Sequence, residues 1–120
     1  MPKKILVVDD DAILVRALAM VLRHNGYDVV AAQNGLQAVA SAATESPDLV
    51  LLDLTMPGMD GWEVCRTIRG SCRAAVILLS GHQLSDQEIT AKLGGMTINN
   101  YLIKPVRNET LLAAVKAALP

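Results

Sequence analysis

The chain has 120 residues, of which 52% are hydrophobic and 19% charged, and its net charge is -1. This composition is typical of one folded domain, residues 1–120, and excludes a disordered chain. The near-neutral charge predicts no direct binding of nucleic acid by this domain. Apolar runs such as Ala74 to Leu79 are too short to span a bilayer, and no signal peptide is visible. We therefore expect a cytoplasmic protein without membrane association, in which Cys65 and Cys72 stay reduced.

The first half of the chain alternates between strand-like and helix-like patterns. The apolar run from Lys4 to Val8 predicts a buried strand, and Asp11 is suited to cap a helix that continues to about Asn25. Tyr27 to Ala32 predicts a second strand. A second helix is expected to open at Asn34, and its predicted inward residues are Leu36, Val39 and Ala40 or Ala43.

The third strand carries four consecutive apolar residues, Leu49 to Leu52, and ends in Asp53. Such a run indicates a strand that is buried on both faces, as in a parallel sheet covered by helices. A third helix is predicted from Asp60 to about Arg69, where Gly70 and Ser71 are expected to break it.

The last third repeats the alternation. A fourth strand delivers Ser80 at its carboxyl end, and Ser85 to Glu88 matches a capping box at the start of a fourth helix. Gly94-Gly95 is expected to end that helix. Asn100 to Ile103 predicts a fifth strand, after which Asn108 is expected to cap a fifth helix. Connections of these lengths favour right-handed crossovers and a parallel sheet.

Four of the predicted strands end in residues that carry chemistry: Asp9 with Asp10, then Asp53, Ser80 and Lys104. In a parallel sheet all four ends lie at the same edge. Each pair of carboxylates about 5 Å apart repels by roughly 3 kcal/mol, which a divalent cation such as Mg²⁺ would relieve. A cation, a hydroxyl and an ammonium around Asp53 would suit phosphoryl transfer to that carboxylate.

The motifs at these strand ends resemble those of the response-regulator receiver domains of two-component signalling, including stand-alone chemotaxis regulators. The matching segments occur in the right order and cover essentially the whole chain: 5–11, 51–61, 79–81 and 101–105. The resemblance implies an α/β, flavodoxin-like, doubly wound fold. Its sheet would have five parallel strands in the order 2-1-3-4-5, with five helices.

The resemblance also implies roles for the residues at this edge. Asp53 would be the phosphoacceptor and a ligand of Mg²⁺, together with Asp10 and the backbone carbonyl of Thr55. Asp9 would act on the metal mainly through water. A sensor histidine kinase or a phosphotransfer protein would supply the phosphoryl group from a phosphohistidine, and small acyl phosphates can sometimes replace it.

Further expectations concern the switch. Ser80 and Lys104 would bind the phosphoryl oxygens, and the bond before Pro105 would be cis. Ser80 and Tyr101 would change the surface of helix four, strand five and helix five, and that surface would bind an unknown downstream protein. We expect Thr55 and His82 to set the lifetime of the phosphorylated state. The segment from Gly95 to Tyr101 is longer than the family pattern.

Several alternatives stay open on the sequence. Haloacid dehalogenase phosphatases share the Asp nucleophile and Mg²⁺, but their second Asp is replaced here by Thr55. A degenerate receiver that never accepts phosphate usually lacks one of the key residues, and none is missing. Tyr101 is alternatively a half-buried edge aromatic, and His82 a solvated loop residue. The sequence is compatible with a stand-alone regulator or a part of a longer one, and with a monomer or a weak dimer.

Overall fold

The computed structural model describes residues 2–58 and 60–119; Met59 and the two ends of the predicted domain lie outside the described residues. Five strands and five helices alternate within the described residues. The strands are β1 (Lys4–Val8), β2 (Asp28–Ala32), β3 (Leu49–Asp53), β4 (Ala75–Ser80) and β5 (Asn100–Ile103). The helices are α1 (Ala12–His24), α2 (Gly35–Glu45), α3 (Gly61–Ser71), α4 (Asp86–Leu93) and α5 (Asn108–Ala118).

All five strands are parallel and follow the order β2-β1-β3-β4-β5, as predicted. At the carboxyl ends, Val8 is in register with Ala32 on one side and Leu52 on the other. Ser80 is in register with Ile103. The loops that leave β1, β3, β4 and β5 therefore meet at one edge of the sheet.

The sheet separates two hydrophobic clusters, since successive side chains of a strand point to opposite faces. Leu49 to Leu52 of β3 are all fully buried, two residues in each cluster, which confirms the prediction for this strand. One cluster includes buried residues of α2 and α3, and the other includes those of α1 and α5.

Two predicted helix caps are present. The Asp11 carboxylate accepts hydrogen bonds from the backbone N–H groups of Ile13 and Leu14, at 3.0 and 3.2 Å. At α4, Ser85 and Glu88 form the reciprocal hydrogen bonds of a capping box. These side chains satisfy amide groups that have no partner within the first helical turn. None of the described helices is long and apolar enough to cross a membrane.

The inward face of α2 differs from the prediction. The small residues Ala38 and Ala42 are buried, whereas Leu36 is 76% exposed. Because α2 carries apolar residues at helical spacing on two faces, periodicity alone does not distinguish the buried face from the exposed one. Of the residues predicted to face inward, Ala40 and Ala43 are also exposed and Val39 is half-buried.

Two helix ends also differ from the prediction. Helix α3 continues through Gly70 to Ser71, because a glycine inside a helix costs only about 1 kcal/mol, which packing can offset. Helix α5 begins with Asn108 itself, so Asn108 is not the cap. Arg107 occupies the cap position and makes no side-chain hydrogen bond there.

Candidate functional site

The carboxyl ends of four strands bring the predicted site residues to one edge of the sheet. Asp9 follows β1, Asp53 and Ser80 are the last residues of β3 and β4, and Lys104 follows β5. Backbone hydrogen bonds continue the sheet to this level: the Lys104 N–H donates to the Ser80 carbonyl at 2.8 Å. The positions of these residues therefore follow from the register of the parallel strands.

Three carboxylates form an acidic cluster at this edge. One oxygen from each of Asp9, Asp10 and Asp53 lies within 4.8 Å of the others. Asp53 is 1% exposed and Asp9 2% exposed, whereas Asp10 lies on the surface. Closely spaced carboxylate oxygens, open to solvent on one side, are the ligands that Mg²⁺ prefers. The donor set therefore fits a magnesium ion.

Lys104 places an ammonium group between two of these carboxylates. Its Nζ lies 3.0 Å from Asp53 Oδ2 and 3.1 Å from Asp9 Oδ2. The Lys104-Pro105 peptide bond is cis, as the resemblance implied. The ammonium offsets part of the repulsion between Asp9 and Asp53.

Both oxygens of Asp53 are held by hydrogen bonds. Oδ1 accepts from the backbone N–H of Thr55 at 2.9 Å and from its hydroxyl at 2.7 Å, while Oδ2 faces Lys104. The carboxylate is thus fixed in orientation at the end of a buried strand. Thr55, which the sequence predicted to act through its carbonyl and on the phosphate lifetime, also contacts Asp53 through its side chain.

These contacts set the charges of the site. Burial favours a higher pKa for Asp53, but the two Thr55 hydrogen bonds and the Lys104 ammonium outweigh it and hold the pKa of Asp53 below its ordinary value. Burial raises the pKa of Asp9, against the Asp11 N–H and Lys104. Burial opposes the charge of Lys104, but its hydrogen bonds to Asp53 and Asp9 raise the pKa of Lys104 overall. Asp53 is therefore an ionised carboxylate beside a charged ammonium at neutral pH.

The predicted switch and lifetime residues lie beside this cluster. Ser80 is 2% exposed, and its Oγ accepts a hydrogen bond from the His82 N–H at 3.0 Å. The Tyr101 hydroxyl donates to the His82 carbonyl at 2.7 Å. The structure therefore connects Ser80, His82 and Tyr101, although the His82 residue is largely exposed.

Trp62 is a neighbour of the predicted switch residue Tyr101. Its ring stacks on the Tyr101 ring, with centroids 6.3 Å apart and planes inclined by 10°. Trp62 is the only tryptophan of the chain and stands in the first turn of α3, at the carboxyl edge of the sheet. Its place in the chain, shortly after Asp53, indicates a position near the site. Its pairing with Tyr101, however, depends on the tertiary structure.

The segment between α4 and β5, which the sequence predicts to be longer than the family pattern, is held to its neighbours by hydrogen bonds. The Asn99 N–H donates to the Val76 carbonyl at 2.8 Å, and the Asn99 side chain accepts from the Val76 N–H at 2.9 Å. Arg69 of α3 donates from Nε and Nη2 to the Thr97 carbonyl, at 3.2 and 3.0 Å, and also from Nη1 to the Ala74 carbonyl. This segment therefore packs on β4 and α3.

Sequence profiles of known families identify the chain. The family described as "Response regulator receiver domain" matches residues 5–116. The chain belongs to this family. Receiver domains of two-component response regulators are signalling modules, which agrees with the fold and with the acidic cluster.

One curated relative of this receiver domain is the DNA-binding response regulator MtrA of Mycolicibacterium paratuberculosis. The two are 38% identical over 119 residues, which cover 99% of this chain and 52% of that protein. The chain thus spans about half the length of the curated relatives that it matches.

Solved structures of two other proteins share the fold. The chemotaxis protein CheY4 of Vibrio cholerae is 27% identical, with a TM-score of 0.88 over 99% of this chain and 100% of that chain. A response regulator protein of Burkholderia pseudomallei is also 27% identical, with a TM-score of 0.82 over 93% of this chain and 65% of that chain. That crystal structure contains a phosphorylated aspartic acid, a calcium ion and citrate.

Proposed function

We propose that residues 1–120 form a receiver domain that accepts a phosphoryl group on Asp53 and thereby changes the surface of α4, β5 and α5. The observation that carries the proposal is the geometry around Asp53. It is a buried carboxyl group whose two oxygens are oriented by Thr55 and Lys104, beside two further carboxyl groups. The phosphorylated aspartic acid in the Burkholderia pseudomallei protein supports the same chemistry.

In the proposed reaction an oxygen of Asp53 attacks the phosphorus of a phosphohistidine on a sensor histidine kinase or phosphotransfer protein. The O–P bond forms, the N–P bond breaks, and the leaving imidazole nitrogen keeps the electron pair of that bond. Lys104 and the Ser80 hydroxyl then hold the phosphoryl oxygens. A Mg²⁺ ion held by Asp53, Asp10, Thr55 and, through water, Asp9 would neutralise charge on the carboxylates and the phosphoryl group.

The output of the reaction is a change in how the domain binds a downstream protein. Phosphoryl oxygens draw the Ser80 hydroxyl inward, and Tyr101 settles in the space beside it, in the orientation in which the Tyr101 hydroxyl donates to the His82 carbonyl. A cavity of about 210 Å³ is lined by Ser80, His82 and Tyr101 together with residues of the loop after β3, of α3 and of α4, and it gives room for this change. We place the domain in the cytoplasm, as a monomer or weak dimer that does not itself bind nucleic acid.

Thr55 and His82 are proposed to set the lifetime of the aspartyl phosphate, because both lie beside the phosphoacceptor edge. The Thr55 hydroxyl contacts Asp53 directly, and the exposed residue His82 is joined to Ser80 through its backbone N–H. We expect His82→Ala to change the rate of dephosphorylation while leaving the His82 backbone hydrogen bonds in place. An unchanged rate would remove His82 from the proposal.

The first test is the intact mass after incubation with Mg²⁺ and a small acyl-phosphate donor, with Asp53→Asn as the matched control. We expect one added phosphoryl group, dependent on Mg²⁺ and absent from the variant. The proposal fails if neither the donor nor a phosphorylated sensor kinase adds a group and beryllofluoride does not bind. Rapid turnover of a generic phosphate ester would instead indicate a phosphatase.

A further inference from the structure

A continuous line of contacts runs from the buried hydroxyl of Ser80 to the indole of Trp62. Ser80 Oγ accepts the His82 N–H, the His82 carbonyl accepts the Tyr101 hydroxyl, and the Tyr101 ring stacks on Trp62. The line crosses from the loop after β4, through β5, to the first turn of α3. It joins the phosphoacceptor edge to a helix that the switch described above does not include.

The hydrogen bond that Ser80 accepts leaves its hydroxyl proton free to donate. Since Oγ accepts from the His82 N–H, the hydroxyl proton of Ser80 remains available to donate to another oxygen. The two peptide groups that flank the His82 Cα are both held: the His82 N–H bonds to Ser80, and the His82 carbonyl accepts the Tyr101 hydroxyl. Tyr101 therefore contributes to the geometry in which Ser80 can donate.

Tyr101 has little support from its own strand. None of the four described residues of β5 is buried. Trp62, in contrast, is only 9% exposed. A ring that is already ordered by stacking on a buried indole loses less conformational entropy when its hydroxyl forms a hydrogen bond than a freely rotating ring does. The orientation of Tyr101 thus depends on Trp62.

Two contacts fix the position of the first turn of α3, which carries that indole. The Asp60 carboxylate accepts a hydrogen bond from the backbone N–H of Trp62 at 2.9 Å. Gly61 packs so closely on the loop after Asp53 that a Cβ added there would lie 2.8 Å from the Cα of Leu54. Trp62 is therefore anchored to the same loop that follows the phosphoacceptor.

We propose that Trp62 is a positioning residue for the phosphoryl group: through Tyr101 and His82 it holds the Ser80 hydroxyl ready to donate to a phosphoryl oxygen. This inference rests on the proposed function of Asp53 and adds a residue that the switch did not contain. A Trp62 that only fills the core would contribute to the stability of the fold, but not to the affinity of the folded domain for a phosphoryl group.

Affinity for beryllofluoride at saturating Mg²⁺, measured by titration with ¹⁹F NMR, separates the two roles. We expect Trp62→Leu to weaken binding by about 2- to 10-fold, the range that an aromatic pair supplies. In a Tyr101→Leu background the same substitution should cause no further loss, because Trp62 acts through Tyr101. Ile5→Val, which removes one buried methylene group on the other face of the sheet, should lower stability and leave affinity unchanged.

Tyr101→Phe tests the same line of contacts without disturbing the core, since it keeps the stacked ring and removes only the hydroxyl. It is also expected to weaken binding, and it serves if Trp62→Leu does not fold. Wild-type affinity in Trp62→Leu or in Tyr101→Phe overturns the inference, as do additive losses in the double variant. If the wild-type domain itself binds no beryllofluoride, the proposed function fails first and the inference falls with it.

Discussion

The centre of the sheet and its β5 edge are packed in different ways. Leu49 to Leu52 of β3 are fully buried, whereas none of the described residues of β5 or α4 is buried. Segments with few buried apolar contacts open at a lower free energy than the core. Asp53 stands on the well-packed part, and Ser80 connects it to the lightly packed part. The carboxylate that we propose as the phosphoacceptor is thus held rigidly, while the neighbouring α4 and β5 can change position at low cost.

The largest expected effect comes from truncating one apolar side chain in the well-packed part and comparing it with the same truncation in the lightly packed part. Leu51→Ala leaves a cavity in a fully buried strand and should lower the free energy of unfolding by about 2 to 5 kcal/mol. Ile89→Ala removes a half-buried side chain of α4 and should lower it by about 1 kcal/mol or less. Urea denaturation followed by circular dichroism measures both changes.

Similar losses in the two variants would contradict the division of the molecule into a well-packed and a lightly packed part. Amide hydrogen exchange provides an independent check. Amides of β1 and β3 are expected to exchange only through global unfolding, and amides of α4 through local opening at lower free energy.

The sequence predicted the well-packed part better than the lightly packed one. Apolar runs identify β1, β3 and β4 because both faces of a central parallel strand are buried, and the register then brings Asp9, Asp53 and Ser80 to one edge. The caps at Asp11 and Ser85 were also predictable, because a cap depends only on residues of its own turn.

Apart from the helix ends, what the sequence did not predict has a common physical cause, which is that tertiary contacts choose between locally equivalent options. Helix α2 carries apolar residues on two faces, and the sheet buries Ala38 rather than Leu36. The stacking of Trp62 on Tyr101 joins residues far apart in the chain. The bonds from Arg69 to Thr97 likewise depend on where α3 lies. Hydrophobic periodicity contains no information about such pairs.

In the lightly packed part, hydrogen bonds from Arg69 stabilise the segment between α4 and β5, which has few buried apolar contacts. Arg69→Met keeps an apolar stem but removes the donors to the Thr97 and Ala74 carbonyls, and should lower the free energy of unfolding by about 1 to 2 kcal/mol. The matched control is Arg66→Met, which removes a single bond to the Lys92 carbonyl and should cost about 0.5 kcal/mol. Equal effects on urea stability would show that Arg69 has no special role.

A smaller and more local effect is expected at the start of α4. Ser85→Ala breaks the capping box with Glu88 and should destabilise the first turn of α4 by about 1 kcal/mol. Because α4 contributes little to the core, this loss should increase exchange of the α4 amides and hardly alter the urea midpoint. A shift of the midpoint that accounts for the whole loss would mean that α4 unfolds together with the core. Thr90→Ala, on the same helix but outside the box, is the control.

The last prediction concerns the rates of cysteine modification, which report on how the lightly packed part opens. Burial raises the pKa of the Cys65 thiol, although the guanidinium groups of Arg69 and Arg66 oppose this. The thiolate is the form that reacts with iodoacetamide. Near neutral pH, iodoacetamide should therefore modify the half-buried Cys72 at least about tenfold faster than it modifies the buried Cys65. Residual modification of Cys65 should accelerate as pH rises toward its raised pKa.

The route by which Cys65 becomes accessible then tests the division of the molecule. Its Sγ lies 3.7 Å from the Sδ of Met96, in the segment that Arg69 fastens. Local opening of that segment would expose Cys65 while β3 stays folded, so Arg69→Met should speed its modification, and low concentrations of urea should not. If modification of Cys65 instead follows global unfolding at every urea concentration, the β5 edge and the core form one cooperative unit. Any movement of α4 would then have to occur without opening of the segment that follows it.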